Sequence, residues 1–342
     1  MRRESLLAMA AIAVLSGWTV AADTPEVEPN DAKATATNVN LVAPGDRILG
    51  NSGASTGVGL DYFLVNTPNQ APGIYRNRLV LTSDIAGHTG TLRGLSQTAA
   101  PVDTLPGTPW DGVIGTPGTT DNTGQTSSTT TTPPRFNQWY TFGGQTGSLY
   151  YRVTGTTTTT ADYAATWEQT PVTPTDIGSY APGLITISTF SQGHTTDTDL
   201  WVYDSNFNPI RGYGNDDEAV LGGSPGTGAS LQSFLARDYA PGTYYLALSN
   251  FALINNQPSP SDDDFRTGTI ADFAGVLMNS STTINLNLAF TIADSAGASV
   301  QVANTKTGPF DVNFFKFTVV PEPASMGLLA LAAPALLRRR RI

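Results

Sequence analysis

The chain has 342 residues, of which 13% are charged and 9% aromatic, with 34 Gly, 23 Pro and no Cys. This length allows two or three domains, and a charge-poor, turn-rich composition favours an all-β protein over a helical one. The net charge of −10 argues against nucleic-acid binding, which requires clustered Lys and Arg, and the lack of Cys excludes disulfide bonds.

The N-terminus has the three parts of a secretory signal peptide. Arg2 and Arg3 form a basic region, residues 6–15 an apolar region, and Val20-Ala21-Ala22 a small-residue cleavage site before Asp23. The residues after the paired arginines do not follow the twin-arginine signal well, so general secretion is favoured. A buried N-terminal helix is the alternative.

Short apolar and aromatic runs, bounded by Gly, Pro or Asn, recur along the chain and predict β-strands. Residues 99–134 are dominated by Pro, Gly, Thr, Ser and Asp, which predicts a long surface loop or linker. Strands are predicted at 61–65, 75–82, 139–142, 148–154, 183–190, 199–203, 209–213, 230–237, 243–249, 284–292 and 311–319.

These elements predict an all-β fold with two tandem jelly-roll-like β-sandwich domains, an N-terminal signal helix and a short C-terminal hydrophobic helix. The boundary between the sandwiches is expected between 155 and 180. The predicted segments are the signal peptide at 1–22, the first sandwich at 23–170, the second at 171–319 and a C-terminal segment at 320–342.

Recognised catalytic motifs are absent from the sequence. The chain has two histidines, His88 and His194, and no GxSxG, HExxH, P-loop or dinucleotide-binding pattern. A Ser-His-Asp site using His194 is the less favoured interpretation, because Gly193 beside it indicates a loop histidine. We therefore expect a non-enzyme, with a hydrolase that uses two carboxylates as the alternative.

Two acidic clusters are candidate calcium sites, because calcium takes six to eight oxygens from carboxylates, amides and carbonyls. In the first, alternate acids of an extended segment point the same way. In the second, pairing of the strands at 199–203 and 209–213 as a hairpin would place their far ends side by side. The alternative for both is a structural role in caps and Asx-turns. The candidates are Glu26, Glu28, Asn30 and Asp31, and Asp197, Asp199, Asn215, Asp216 and Asp217.

A tryptophan ring that stacks on a sugar is a further candidate binding residue. Trp139 and Trp201 lie inside strand runs and are expected in the core, whereas Trp110 lies in the predicted loop. Trp110 is therefore the candidate ligand residue of a carbohydrate-binding module.

The C-terminal segment resembles a PEP-CTERM sorting signal. Pro321, Glu322 and Pro323 precede an apolar run and an arginine cluster, made of Arg338, Arg339, Arg340 and Arg341. The resemblance implies recognition by exosortase, a membrane protease-transpeptidase of Gram-negative bacteria that make extracellular polysaccharide. The apolar run at 326–337 is shorter than the ~20 residues of a full span and contains Pro334. These features favour a sorting signal that is removed over a permanent membrane anchor. The arginines would stay cytoplasmic.

The acidic segment EVEPNDAKATATNV resembles the opening of bacterial pre-peptidase C-terminal domains, which are jelly-roll-like sandwiches of secreted proteins. In collagen-binding members this segment supplies calcium ligands, which implies the first cluster above and adds Asp61 of LDYFLV. The stretch DTDLWVYDSNFNPIRGYGNDDE, followed by APGTYYLALSNF, is also similar to such domains. The resemblance implies a secreted accessory module and no particular substrate.

Together these patterns predict a secreted, surface-sorted, calcium-stabilised protein with a structural or adhesive role. Its expected partners are the secretion machinery, exosortase, the inner membrane before processing, and extracellular polysaccharide. Its expected location is the cell surface or extracellular matrix of a Gram-negative bacterium.

Overall fold

The computed structural model describes residues 21–51, 59–97, 117–130, 134–155, 161–216, 231–251, 253–256 and 274–320. Within these ranges the protein is all-β, as predicted: a 3-10 turn at Lys33–Thr35 is the one helical element, and no helix is long and apolar enough to cross a membrane. The predicted signal and C-terminal helices lie outside the described residues.

The first half of the chain forms ten described strands, rich in β-branched and aromatic residues that fit a pleated, half-buried surface. Their bounds are β1 (Asp23–Pro25), β2 (Thr37–Asn40), β3 (Arg47–Asn51), β4 (Leu60–Asn66), β5 (Ile74–Ser83), β6 (Thr89–Gln97), β7 (Pro117–Ser128), β8 (Phe136–Phe142), β9 (Ser148–Thr154) and β10 (Asp162–Val172).

The second half contributes thirteen described strands, several of them very short. Their bounds are β11 (Thr175–Tyr180), β12 (Gly183–Ser188), β13 (Asp199–Tyr203), β14 (Pro209–Asn215), β15 (Phe234–Tyr239), β16 (Gly242–Ser249), β17 (Leu253–Ile254), β18 (Val276–Asn279), β19 (Leu286–Asn287), β20 (Phe290–Asp294), β21 (Ser299–Val302), β22 (Thr305–Lys306) and β23 (Asn313–Val319).

The first sandwich packs a seven-stranded sheet against a five-stranded one. The larger sheet has the order β1-β3-β10-β5-β8-β18-β17, and the smaller has the order β2-β4-β9-β6-β7. Inward-facing side chains of both sheets, among them Phe63, Leu79, Trp139 and Trp167, are fully buried in one apolar cluster. Most neighbours are antiparallel, but β1 pairs with β3 and β2 with β4 in parallel.

The second sandwich is built in the same way from a five-stranded and a four-stranded sheet. Their orders are β11-β23-β16-β13-β14 and β15-β12-β20-β21, and β19 pairs separately with β22. The core between the sheets includes Ile187, Leu246, Phe290 and Phe317, all without exposed surface. Phe315 and Phe317 of the aromatic run in β23 therefore lie in the interior, whereas the tyrosines of β16 are half-buried at its margin.

The two sandwiches share a core, and a strand from the second half of the chain joins a sheet of the first sandwich. β18, from the second half of the chain, pairs with β8 of the first sandwich through Val276–Thr141 and Leu277–Tyr140. Beside this junction the ring of Phe142 lies 4.8 Å from that of Tyr203 and 5.7 Å from that of Phe207. The domain boundary predicted near residue 170 stays a prediction. β17 and β18, which follow this boundary in the chain, belong to a sheet of the first sandwich.

The expectation of a loop throughout 99–134 is wrong for β7. This strand pairs with β6, although its sequence, PGTTDNTGQTSS, has no apolar residue. Its buried Gln125 instead satisfies its amide with neighbouring backbone: Nε2 donates to the carbonyls of Gln138 at 2.6 Å and Asn279 at 2.7 Å, and Oε1 accepts from Gln138 N at 2.9 Å. Hydrogen bonds of a buried polar side chain therefore help to hold β7 in place. The loop prediction missed this strand because it relied on the lack of apolar residues.

The prediction of a single strand at 284–292 is also wrong. The structure has two short strands there, β19 and β20, which belong to different sheets. The side chain of Asn287 accepts a hydrogen bond from Ala289 N at 2.9 Å, and this local bond bends the chain between the strands.

Replacing Phe142 with Ala tests the shared core. We expect Phe142→Ala to lower the free energy of unfolding by about 3–5 kcal/mol, the usual cost of removing a buried aromatic ring. The measurement is urea denaturation followed by tryptophan fluorescence.

The matched control is Leu184→Ala, because Leu184 is 41% exposed. Surface changes of this kind alter stability by less than about 0.5 kcal/mol. Equal stabilities for Phe142→Ala and the control would contradict a core that joins the two sandwiches.

Candidate metal centre

The acidic segment that follows β1 lies against the beginning of β4. The amide of Tyr62 donates to the carbonyl of Asn30 at 2.9 Å, which fixes the segment beside this strand. Carboxylate oxygens of Glu26, Glu28 and Asp61 all lie within 4.8 Å of one another. The structure therefore brings together three of the five residues predicted as ligands in this half of the chain.

These carboxylates are crowded and partly desolvated. Burial raises the pKa of Asp61 to about 7; its hydrogen bond with Tyr163 opposes the shift, and the charges of Glu26, Glu28 and Asp31 add to it. Burial also raises the pKa of Glu26, with Glu28 contributing in the same direction. A cation bound here would relieve this repulsion, because opposite charge favours the ionised carboxylates.

Asn30, in the same acidic segment as Glu26 and Glu28, carries a buried side-chain amide. Its side chain is fully buried, and its Nδ2 donates to Thr37 Oγ1 at 3.4 Å. Its Oδ1 has no hydrogen-bond partner among the residues that the structure describes. Its backbone N–H donates to Glu28 Oε2 at 3.0 Å. A buried acceptor without a donor is costly, and three carboxylates with one amide oxygen form a donor set that fits calcium.

Asp31, the fifth predicted ligand, is exposed. It acts on the site through its charge, which contributes to the raised pKa of Asp61.

Three residues that support the site were not predicted. The hydroxyl of Tyr163 donates to Asp61 Oδ2 at 2.7 Å and lies 3.4 Å from Glu26 Oε2. The amide of Asn51 donates to Glu26 Oε1 at 2.8 Å. Gly50 pairs with Tyr163 across β3 and β10, and a Cβ at Gly50 would overlap both the Tyr163 hydroxyl and the Glu26 carboxylate. Only the pairing of distant strands brings these residues to the site.

The second predicted cluster lies at the far end of the β13–β14 hairpin. Leu200 pairs with Asn215, so Asp199 and Asp216 occupy the next position along the ladder, and both are buried. Asp199 Oδ2 accepts a hydrogen bond from Leu253 N at 2.5 Å, and Asn215 Oδ1 accepts one from Phe234 N at 2.7 Å. Two of the candidate ligands thus bond to the first residues of neighbouring strands, β17 and β15.

The described acids of this second cluster do not meet as a set. Asp197 is half-buried, and Asp217 lies outside the described residues. Among the described residues, Asp197, Asp199 and Asp216 do not form a group with carboxylate oxygens within 4.8 Å of one another. A metal at this end of the hairpin stays a prediction.

The histidine and tryptophan predictions have different outcomes. His194 Nε2 lies 2.9 Å from the carbonyl of Ala289, and its Nδ1 accepts a bond from Thr196 N at 3.2 Å, so the backbone holds both ring nitrogens. Trp139 and Trp201 are buried, as expected. Trp110 and the sorting-signal residues from Pro321 onward lie outside the described residues.

An open cavity of about 640 Å³ adjoins the carboxylate cluster. Glu26 lies on its wall, with Asn51, Asp84 and Asp162 among the other lining residues. Asn51 Nδ2 donates to Asp162 Oδ1 at 2.6 Å. The cavity therefore offers acidic and amide groups beside the candidate metal ligands.

Comparison with known protein families and with curated proteins gives no match. No model of a known protein family matches the chain, and no curated protein matches it significantly. The resemblances of the acidic segment and of the C-terminal segment stay interpretations, and the function is argued from the site.

The raised pKa of Asp61 makes calcium-free stability depend on pH. An unfolded Asp has a pKa of about 3.9, so between about pH 4 and pH 7 the folded state holds one proton more than the unfolded state. We therefore expect the free energy of unfolding in EGTA to fall as pH rises through this window and to level off above it. Asp61→Asn should make this slope shallower in urea denaturation.

Asp84→Asn is the matched control, because it removes one exposed carboxylate from the same cavity. It should keep the slope of the unchanged protein. An equal slope in Asp61→Asn would show that Asp61 does not hold the extra proton.

Proposed function

We propose that this is an exported, surface-sorted, non-catalytic protein with a structural or adhesive role in the extracellular polysaccharide matrix of a Gram-negative bacterium, stabilised by calcium. The observation that carries the calcium proposal is the convergence of Glu26, Glu28 and Asp61; the buried Asn30 oxygen, without a hydrogen-bond partner in the described part of the chain, supports it.

The position of the cluster explains how calcium would stabilise the fold. Glu26 follows β1 of the seven-stranded sheet, whereas Asp61 lies in β4 of the five-stranded sheet. Tyr163, in β10 of the larger sheet, donates to Asp61 across the sandwich. A cation on these carboxylates would link the two sheets and tie the acidic segment to both.

Export and sorting rest on the two ends of the sequence. The predicted signal peptide directs the chain to the secretion machinery, and the segment at 320–342 offers exosortase a Pro-Glu-Pro motif before an apolar run and four arginines. In this proposal the apolar run holds the protein in the inner membrane until processing. β23 ends at Val319, directly before that segment.

A second candidate function is supported by the cavity beside the cluster. Its carboxylates, Glu26, Asp84 and Asp162, are groups that a glycan hydrolase or a carbohydrate-binding module would use. Incubation of the protein with matrix polysaccharide distinguishes the candidates. Release of sugar that is lost in Asp162→Asn supports hydrolysis, and intact glycan favours the non-catalytic role.

Calcium removal tests the metal proposal directly. A ligand present at 100 times its Kd stabilises the folded state by about 2.7 kcal/mol, so calcium should raise the Tm of the protein above its value in EGTA. We expect Asp61→Asn to abolish this increase and Asp84→Asn to retain it. Calorimetric titration of calcium into the same three proteins gives an independent measurement.

An unchanged Tm, together with no heat of binding, would contradict a tight calcium site. An increase that survives in Asp61→Asn would place calcium elsewhere, with the second acidic cluster as the next position to test.

Replacement of the sorting motif tests surface delivery. In the P321A/E322A/P323A variant we expect the protein to accumulate in the inner-membrane fraction, because exosortase would no longer recognise it. Fractionation and immunoblotting measure the distribution. The control S325A changes a residue just outside the triplet and should reach the surface. Equal distributions in the two variants would contradict sorting through this motif.

A further inference from the structure

Lys306 is a buried lysine surrounded by uncharged oxygens. It lies in β22 with no exposed surface. Its Nζ donates to Asn250 Oδ1 at 2.7 Å, to Asn279 Oδ1 at 2.9 Å and to the carbonyl of Ser281 at 2.8 Å. Neither the calcium site nor the proposed sorting function uses this group.

Burial makes the neutral, nucleophilic form of Lys306 more accessible than that of an exposed lysine. Burial lowers the pKa of Lys306 to about 8, and the charge of Asp311 opposes this shift only in part. A neutral amine is a nucleophile, whereas the ammonium of an exposed lysine is not. Near neutral pH a fraction of Lys306 is therefore able to attack a carbonyl carbon.

The carboxamide of Asn279 is held at both ends. Its Oδ1 accepts a hydrogen bond from Ser281 N at 3.0 Å in addition to that from Lys306, and its Nδ2 donates to the carbonyls of Asn250 and of Phe251, the latter at 2.8 Å. The Ser281 N–H points at the oxygen where negative charge would develop during attack on Cγ. Fixed orientation of both reactants lowers the entropic barrier to such a step.

We propose that Lys306 and Asn279 form an intramolecular amide cross-link. The lone pair of Lys306 Nζ attacks Asn279 Cγ, which is one bond beyond the Oδ1 that Nζ already contacts. The Cγ–Nδ2 bond then breaks, a proton passes from Nζ to the departing nitrogen, and ammonia leaves. The exchange of one amide for another needs no oxidant or reductant. Asn250 acts as a positioning residue, since its Oδ1 holds Nζ in place.

The cross-link would lie at the junction of the two sandwiches. Asn279 ends β18, which pairs with β8 of the first sandwich, whereas β22 pairs with β19 in the second half of the chain. An amide between them would bind the returning segment to the second sandwich by a covalent bond. It would give a chain without Cys a permanent covalent cross-link.

Mass spectrometry of the purified full-length protein tests the cross-link. We expect the denatured protein to be lighter than its processed sequence by one ammonia. A protease digest should contain a branched peptide that joins Lys306 to Asn279. Full mass with separate peptides would overturn the proposal, as would ammonia loss without a branched peptide, which indicates a succinimide. A branch at Asn250 would overturn the assignment to Asn279.

Lys306→Arg keeps the positive charge but removes the attacking amine. This variant should regain the missing ammonia mass and lose the branched peptide. Its control is Lys316→Arg, which changes an exposed lysine that pairs with Asp176 at 2.8 Å and should retain the cross-link. A mass deficit that persists in Lys306→Arg would contradict the chemistry. If Lys306→Arg does not fold, the digest of the unchanged protein decides the question by itself.

Discussion

The electrostatic repulsion among Glu26, Glu28 and Asp61 is the constraint on which the first sandwich depends. Two carboxylates of the segment after β1 and one of β4 meet within 4.8 Å, and burial raises the pKa of Asp61 to about 7. A buried carboxylate among other negative charges destabilises the folded state unless it binds a proton or a cation. The Tyr163 hydroxyl donates to Asp61, and a bound calcium ion would replace the repulsion among the carboxylates with a link between the sheets.

The junction between the sandwiches sets the second constraint. β18 extends a sheet of the first sandwich, and the rings of Phe142, Tyr203 and Phe207 pack where the halves meet. Buried polar side chains, including Gln125 and Lys306, occupy the same region and are hydrogen-bonded. The protein therefore joins its two halves through backbone pairing, an aromatic core and, in our proposal, one amide bond.

Local pattern predicted the strands that carry aromatic and β-branched residues, and the close spacing of acids predicted the cluster at Glu26 and Glu28. The rest depends on contacts between distant residues. Tyr163 is 102 positions from Asp61, and no local signal links the two. β7 lacks apolar residues, and its burial follows from the hydrogen bonds of Gln125. No local sequence pattern indicates that β18 pairs with β8 of the first sandwich.

We expect calcium on one set of oxygens, and crystals grown with calcium would locate it. The anomalous scattering of calcium should give one strong peak at about 2.3–2.6 Å from oxygens of Glu26, Glu28 and Asp61, the usual calcium–oxygen distance. The peak should be absent from crystals of Asp61→Asn grown in the same solution. Crystals of the unchanged protein with no peak at these carboxylates would contradict a calcium site at Glu26, Glu28 and Asp61.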